Sequence, residues 1–334
     1  MIVPKTGSAG PVVPKKGSAQ PVVVPKKGSA QPVVVRVPAK INLHLSVGPP
    51  RPDGFHDLIT VFLAVSLYDQ VTAAPGEGLS LSVRGEGAVT VPLDDGNLVW
   101  RAAVALAEYA GVPADASLEV VKEIPVAAGL AGGSADAAAA LVACDELWGT
   151  ALGRVELVEL AAGLGSDVAF LLGGGMSLGT GRGELLTPVL ATGDWHWVLA
   201  FADGQLSATE VYAELDRLRG EQRPPPRPPD RLINGLRVRD SRAVAGALVN
   251  DLQPAALSLR PALRATLREG DHLGAQAGIV SGSGPTCAFL VASSRAAVRL
   301  AAALAAAGVC RTVRIVHGPV PGARRTTTRP AGAG

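Results

Sequence analysis

Three short stretches of this sequence hold residues that could do chemistry together. The first is Gly129-Leu-Ala-Gly-Gly-Ser134, three glycines among small neighbours, directly ahead of an alanine-rich stretch with helical character. Glycine lets the backbone turn tightly. A helix starting there would present free N–H groups and the positive end of its dipole, which together cradle phosphate. Ser134 is placed to cap that helix and to offer its hydroxyl to a phosphate or to Mg²⁺. The loop is neither a Walker A sequence nor a Rossmann G-x-G-x-x-G, and alone it could simply let a helix pack closely on a sheet.

Lysine usage marks the second stretch. The chain has 7 Lys against 24 Arg, and five of those lysines fall in the first 35 residues, leaving only Lys40 and Lys122 beyond them. Where Arg is written almost everywhere, a lysine is either a snorkelling surface residue or one required as a compact, tunable ammonium. Lys40 lies in Pro38-Ala-Lys-Ile-Asn42. The third stretch holds Asp167, in Leu164-Gly-Ser-Asp-Val168, between a glycine turn and an apolar run. Partly buried there, it needs a partner, and Lys40 would serve. An Asp beside a cation stays ionised and can accept a hydroxyl proton, although a turn or N-cap role would also place an Asp here. Gly179-Thr-Gly-Arg-Gly183 and Ser281-Gly-Ser-Gly-Pro285 are further turns where bare backbone could approach a ligand.

Elements that would carry these residues can be read from periodicity and punctuation. Strands are expected over 41–47, 58–66, 71–74, 79–84 and 117–123. Asn97 should cap a helix over 98–110, stopped by Gly111. Helices follow over 134–148 and 155–164, then strands over 176–178 and 185–189. Beyond residue 190 the pattern changes to a strand (197–201), helices over 207–219, 241–249 and 261–268, strands over 275–280 and 286–292, a helix over 294–307 and a strand over 312–316. That order predicts a small α+β sandwich of ferredoxin-like character. The Pro-rich stretch Arg223-Pro-Pro-Pro-Arg-Pro-Pro229 reads as a surface insertion rather than a docking motif.

Composition bounds the rest. With 334 residues, 48% hydrophobic and 18% charged, the chain can build two domains with sizeable cores. Aromatics are only 4%, so Ala, Val and Leu must fill them. No 20-residue apolar span and no signal-peptide block occur, which predicts a soluble cytoplasmic protein with no membrane partner. Cys144, Cys287 and Cys310 sit far apart in apolar runs and read as buried free thiols, without a disulfide framework or zinc site. The net charge of +2 is uneven, because residues 1–35 carry +5 and the remainder −3. A neutral-to-acidic body argues against a nucleic-acid partner. The basic segment is a tandem repeat, with Pro14-Lys-Lys-Gly-Ser-Ala-Gln-Pro-Val-Val-Val24 recurring at 25–35, and is expected to be an extended arm. The expected organisation is a disordered basic tail (1–34), a nucleotide-binding domain (35–190), a C-terminal domain (191–320) and a disordered tail (321–334).

Taken together, Pro38-Ala-Lys-Ile-Asn-Leu43, Asp53-Gly-Phe-His56, the glycine-rich loop, Leu164-Gly-Ser-Asp167 and Ser281-Gly-Ser-Gly284 resemble the GHMP kinase superfamily in order and spacing. Smaller matches are Asn97-Leu-Val-Trp-Arg-Ala-Ala103, Leu206-Ser-Ala-Thr-Glu-Val-Tyr212 and Asn250-Asp-Leu-Gln-Pro-Ala-Ala256. Pro-Ala-Lys-Ile-Asn with Asp-Gly-Phe-His after it points to the member whose acceptor carries a cytidine diphosphate. The resemblance implies an α+β, two-domain GHMP kinase fold, with an N-terminal domain related to a ribosomal-protein domain and a ferredoxin-like C-terminal domain. It implies ATP-dependent phosphorylation of an alcohol on a small-molecule substrate in isoprenoid synthesis. Asp167 would take the hydroxyl proton, and Lys40 would be its cationic partner. Pro125, Val126, Ala127, Ala128, Gly129, Leu130, Ala131, Gly132, Gly133 and Ser134 would hold ATP, with Mg²⁺ carried by the nucleotide and Ser134 as one further ligand. Asn42 would contact the acceptor polyol, His56 the cytosine edge and Phe55 the cytosine face.

Three positions depart from the pattern. Phe55 stands where the family usually has Tyr, Ala131 where it has glycine, and Ala169 where it has proline. Ala131 is harmless if its φ stays negative. Two other readings compete: a GHMP kinase for homoserine, mevalonate or a sugar, and a non-catalytic sensor on the same fold whose basic tail recruits an acidic partner. A sensor has no reason to keep Lys40, Asp167 and Ser134 together.

Overall fold

The computed structural model of the chain describes Ser29, residues 31–191 and residues 193–326. The apolar alternation expected from residue 41 begins earlier: β1 (Val33–Pro50) pairs along its length with β2 (His56–Ala74) in a long antiparallel hairpin. Next come β3 (Leu79–Gly85), α1 (Leu98–Ala110) and β4 (Ala116–Lys122). Asn97 caps α1 by accepting from Val99 N, and Gly111 ends it in the left-handed conformation, both as expected. Three helices follow, α2 (Gly132–Trp148), α3 (Arg154–Leu164) and α4 (Ser166–Gly173), and then β5 (Met176–Thr180) and β6 (Leu185–Pro188).

The C-terminal half runs β7 (Trp195–Phe201), α5 (Ala208–Arg219), α6 (Asp230–Val238), α7 (Ser241–Ala245), β8 (Val249–Asn250), α8 (Gln253–Leu259) and α9 (Leu263–His272). It closes with β9 (Ala277–Val280), β10 (Thr286–Val291), α10 (Ser294–Ala307), β11 (Thr312–Gly318) and β12 (Arg324–Arg325). Strands β7, β9, β10 and β11 form an antiparallel sheet in the order β11-β7-β10-β9. Numbered within that sheet the order is fourth, first, third, second, which is the ferredoxin-like arrangement. The first sheet has the central order β12-β1-β2-β4-β3, with β5 and β6 extending from β2 and β8 beside β1.

Alanine explains how the two layers close. Ala137 to Ala140 in α2 are all fully buried, so the helix is enclosed on every side rather than along one stripe. Small side chains let it lie close to β1, β2, α1 and α4, forming the first core. A second core gathers Leu45 and Val47 of β1 with the ferredoxin-like layer, so β1 belongs to both.

Several expectations need correction. Val33 is fully buried and already part of β1, and Arg324–Arg325 pair with Val35 and Arg36, so neither terminal tail extends as far inward as expected. Residues 1–28, 30, 192 and 327–334, including the whole first copy of the repeat, lie outside the described residues, whereas the second copy ends inside β1. The helix expected over 241–249 stops at Ala245, because Val249 and Asn250 pair with His44 and Leu45 in parallel. Helices α6 and α8 were not anticipated. The Pro-rich stretch is exposed over 223–225 and 227–228, with Pro226 half-buried and Pro229 buried, and is pinned to β1: Ser46 Oγ accepts from Arg227 N, and Arg227 O faces His44 Nε2 at 2.9 Å.

Candidate active site

Strand β1 divides its side chains by parity. Ile41, Leu43 and Leu45 enter the cores, while Lys40, Asn42, His44 and Ser46 line a buried polar row on its other side. A row of polar groups needs partners, and each has one. Lys40 Nζ donates to Asn42 Oδ1 (2.8 Å), Asn42 Nδ2 to Thr60 Oγ1 (2.8 Å), and Thr60 Oγ1 to His44 O (2.7 Å). Ser46 Oγ donates to Asp251 Oδ2 (3.0 Å), and burial lowers the pKa of His44.

Asp167 reaches this row from another element. The apolar run after it is helix α4, and Asp167 lies in its first turn, where a negative charge suits the dipole. Its Oδ2 stands 3.7 Å from Lys40 Nζ, with the lysine side chain 7% exposed and the aspartate 31%. The acid thus opens toward solvent while the cation is recessed. Tyr212 of α5 lies near it; burial, and then the Asp167 carboxylate, raise the tyrosine pKa above its usual value. With Ala169 in place of proline, the turn is closed by Val168 N to Gly165 O (3.0 Å) and by a longer Ala169 N to Gly165 O bond (3.4 Å).

The glycine-rich loop runs directly into α2. Ser134 does not cap the helix, contrary to expectation: the cap position is Ala131, and Ser134 sits inside the first turn. The first bond of the helix is Ala135 N to Ala131 O (2.9 Å), so the N–H groups of Gly132, Gly133 and Ser134 precede it. Gly133 is exposed, and a side chain added there would meet nothing within 4 Å. That open, donor-rich helix end fits an anionic ligand. Ala127 (φ 50°), Gly129 (φ 74°) and Ala131 (φ 58°) are all left-handed, so the condition under which Ala131 would be harmless is not met.

The other domain braces this loop. Its Ser281 Oγ donates to Gly129 O (3.0 Å), while Lys40 N of β1, in the loop's own domain, donates to Leu130 O (3.2 Å). A Cβ on Gly129 would come 2.1 Å from Ser281 O, so only glycine fits. Asn250 Nδ2 in turn donates to Val280 O (2.7 Å) and Gly282 O (2.8 Å), holding the second glycine turn against Lys40 and Asn42. A cavity of about 260 Å³ opens beside the loop between Pro125, Val126 and Ala128 and the C-terminal Gln205 and Thr286. The Thr286 hydroxyl is buried without a partner.

Lys122 has a different task from Lys40. Its Nζ donates to Asp69 Oδ2 and Asp136 Oδ2, both at 2.6 Å, in a triad almost sealed from solvent. Asp69 Oδ1 also accepts from Glu123 N and Ile124 N. The triad therefore fixes both ends of the loop, the exit of β4 and the start of α2. Burial acts against the Lys122 ammonium, but Asp136 and Asp69 outweigh it and raise its pKa. Burial pushes Asp136 well above the usual carboxylate range; Lys122 opposes this and Asp69 adds to it. Asp69, with two backbone donors and Lys122, is the better-satisfied carboxylate, while Asp136 Oδ1 is unpartnered.

Phe55 and His56 lie where the turn after β1 enters β2. Phe55 is 53% exposed, with the Arg182 guanidinium 4.9 Å from its ring centroid. His56 is buried, its ring 5.1 Å from that of Tyr212 and its Nε2 3.1 Å from Asp216 Oδ1. Lys40, Asn42 and Asp167 thus gather beside the glycine-rich loop, with Phe55 and His56 at the other end of the β1–β2 hairpin. Sequence reasoning missed Asp69, Asp136, Asp216 and Asn250 as parts of this assembly. Asn250 lay in a quoted match and Lys122 had been singled out, but nothing local marked the aspartates.

Comparison with known proteins identifies the family. Residues 97–175 match the family model for the GHMP kinases N terminal domain, and residues 233–310 the model for the GHMP kinases C terminal. A 4-diphosphocytidyl-2-C-methyl-D-erythritol kinase of Salinispora tropica is 61% identical over 293 residues, covering 87% of this chain and 93% of the relative. One from Nocardia farcinica is 59% identical over 292 residues, covering 87% and 95%. Among solved structures, a 4-(cytidine 5'-diphospho)-2C-methyl-D-erythritol kinase is 32% identical with a TM-score of 0.68, covering 85% of this chain and 98% of that one. A homoserine kinase from Cytophaga hutchinsonii shares the fold at 18% identity and a TM-score of 0.69, covering 90% and 99%.

Proposed function

The chain belongs to the GHMP kinases, and within them to the 4-diphosphocytidyl-2-C-methyl-D-erythritol kinases, and we propose that it works as that enzyme. It transfers the γ-phosphoryl group of ATP to the C2 hydroxyl of 4-diphosphocytidyl-2-C-methyl-D-erythritol, giving the 2-phosphate and ADP, in the non-mevalonate route to isoprenoids. The observation that carries the mechanism is the meeting of Asp167 and Lys40, 3.7 Å apart, beside the open start of α2.

In this reading Asp167 accepts the proton of the C2 hydroxyl as the oxygen bonds to phosphorus. Lys40 stabilises charge on the transferring group, and its bond to Asn42 keeps it aimed. The N–H groups of Gly132, Gly133 and Ser134 hold the phosphates, and the cavity between Val126 and Thr286 takes the nucleoside side of ATP. Mg²⁺ would be carried by the nucleotide's phosphates at the open start of α2, where Ser134 lies in the first turn. Ser134 would hold it through its hydroxyl, and Mg²⁺ would supply charge neutralisation between the phosphates. Asn42 contacts the polyol, Phe55 stacks on the cytosine and His56 bonds its edge. No described helix is long and apolar enough to cross a membrane. The cytoplasm, where ATP and a dissolved nucleotide-linked acceptor meet, is the compartment this reading assigns.

The test is ADP release from ATP and Mg²⁺ with the cytidyl acceptor. Turnover by the wild type, reduced about 10²–10⁴-fold in Asp167→Asn, supports the assignment of substrate and base. Turnover of homoserine or mevalonate instead would overturn it.

A further inference from the structure

The contact between His56 and Asp216 joins residues 160 positions apart and serves no step described so far. Its geometry is specific. A carboxylate has no hydrogen to give, so His56 Nε2, 3.1 Å from Asp216 Oδ1, must carry the ring hydrogen. In the neutral imidazole Nδ1 is then an acceptor. Among the described residues Nδ1 has no protein partner, and it is not one of the buried unpartnered atoms, so it is open to a ligand.

The element carrying Asp216 is held firmly enough to impose this. Tyr212, Asp216 and Arg219 fall at i, i+4 and i+7 of α5 and so share one face. The Tyr212 ring packs against His56, and Arg219 donates to Val47 O (2.6 Å) and to Asp251 Oδ2 (3.0 Å). Asp251 also accepts from Val47 N (2.9 Å), which anchors the same end of the β1–β2 hairpin. Helix and hairpin are therefore locked together on both sides of the His56–Asp216 contact.

We propose that Asp216 sets the base preference of the acceptor site by holding His56 in the Nε2–H tautomer, so that Nδ1 accepts from the exocyclic amine of cytosine. Uracil presents a carbonyl oxygen at that position and would meet Nδ1 acceptor to acceptor. The inference rests on the reading of His56 as the residue that faces the base. Asp216 is then a positioning residue: it touches no reacting atom and acts only through the imidazole.

Two measurements test it on the full chain. The first is the long-range ¹H–¹⁵N spectrum of protein labelled in histidine, with the His56 signals identified by their loss in His56→Gln. The Nε2–H tautomer is expected in the wild type, moving toward the Nδ1–H form in Asp216→Asn, whose amide can donate as well as accept. A wild-type His56 in the Nδ1–H form overturns the proposal without any substrate. The second is ADP release with the cytidyl acceptor and its uridyl counterpart. Asp216→Asn should lower the cytidyl-over-uridyl ratio of kcat/KM by about tenfold, chiefly through KM. Asp216→Glu, which restores an acceptor-only partner, should keep the wild-type preference. A merely structural role for Asp216 would raise KM for both acceptors alike and leave the ratio unchanged, which also overturns the proposal. Wild-type protein inert toward the cytidyl acceptor would sink the kinase reading, and the base preference with it; turnover with an unchanged ratio sinks only the tautomer assignment.

Discussion

Lys40 Nζ stands 3.7 Å from Asp167 Oδ2 but 2.8 Å from Asn42 Oδ1. The cation is held by its own strand and only leans toward the acid. A Cβ on Gly282 would lie 3.4 Å from the same Nζ, so the recess fits an ammonium and little more. Lys40→Arg keeps the charge but forces a planar fork into that space. It should lower kcat about 10²-fold and also lower the thermal midpoint, because the larger group overpacks the recess. Steady-state kinetics beside a melting curve would check both, and near-normal kcat would show that Lys40 supplies charge alone.

The Lys122 triad gives a stability prediction. Removing the cation in Lys122→Met leaves Asp69 and Asp136 buried against each other and should cost about 3–5 kcal/mol in urea unfolding. Retention of wild-type stability would mean the triad does not fix the loop ends.

Asp136 gives a pH dependence of defined sign. Its folded pKa is raised above the ordinary 3.8, so its contribution to stability is present below that value and is lost as pH rises through the folded pKa. Asp136→Asn does not titrate, so its stability relative to wild type should improve as pH climbs from about 4 toward neutrality. Unfolding curves across that window decide it. A variant that loses ground as pH rises would show that Asp136 is held ionised.

Ala131 sits at φ 58°, a conformation that disfavours a side chain. Ala131→Gly should relieve that strain and stabilise the fold by about 0.5–1 kcal/mol, less than the strain itself because glycine frees the unfolded chain. Gly129→Ala should do the reverse, since its Cβ would lie 2.1 Å from Ser281 O, and cost more than about 2 kcal/mol. Denaturant midpoints of the two variants should therefore move in opposite directions.

The thiols should react unequally. Burial pushes Cys144 and Cys287 up to about 12, whereas Cys310 is only partly buried. In native protein at pH 8 a thiol reagent should modify Cys310 first and the other two only as the fold opens. Equal labelling of all three would show that the cores around α2 and β10 open readily.

Much of the fold was legible where the signal is local. Asn97 and Gly111 bound α1 as expected because a cap and a left-handed stop act within one turn of the residue that makes them. The ferredoxin-like half followed from element order, while α6 and α8 escaped because a short amphipathic stretch beside prolines resembles a loop. Residues 241–249 were read as one helix, but pairing with β1 claims Val249 and Asn250, and a strand partner is not visible in a helical pattern.

By itself the sequence determined the chemical inventory: a glycine-rich loop ahead of an alanine-rich helix, two lysines in the body, an aspartate after a glycine turn, and a motif order shared with one kinase superfamily. Only the tertiary structure decided how these were used. It placed Lys40 beside Asp167 and sealed Lys122 between Asp69 and Asp136. It also set Asp216 against His56 and put Ala131 at a positive φ. The reason is physical. Local pattern reports forces acting over a few residues, whereas a side chain's partner across 50 or more residues depends on strand register and on how two domains dock. Lys122 and Lys40 look alike in sequence because the difference between them lies entirely in what other segments bring alongside.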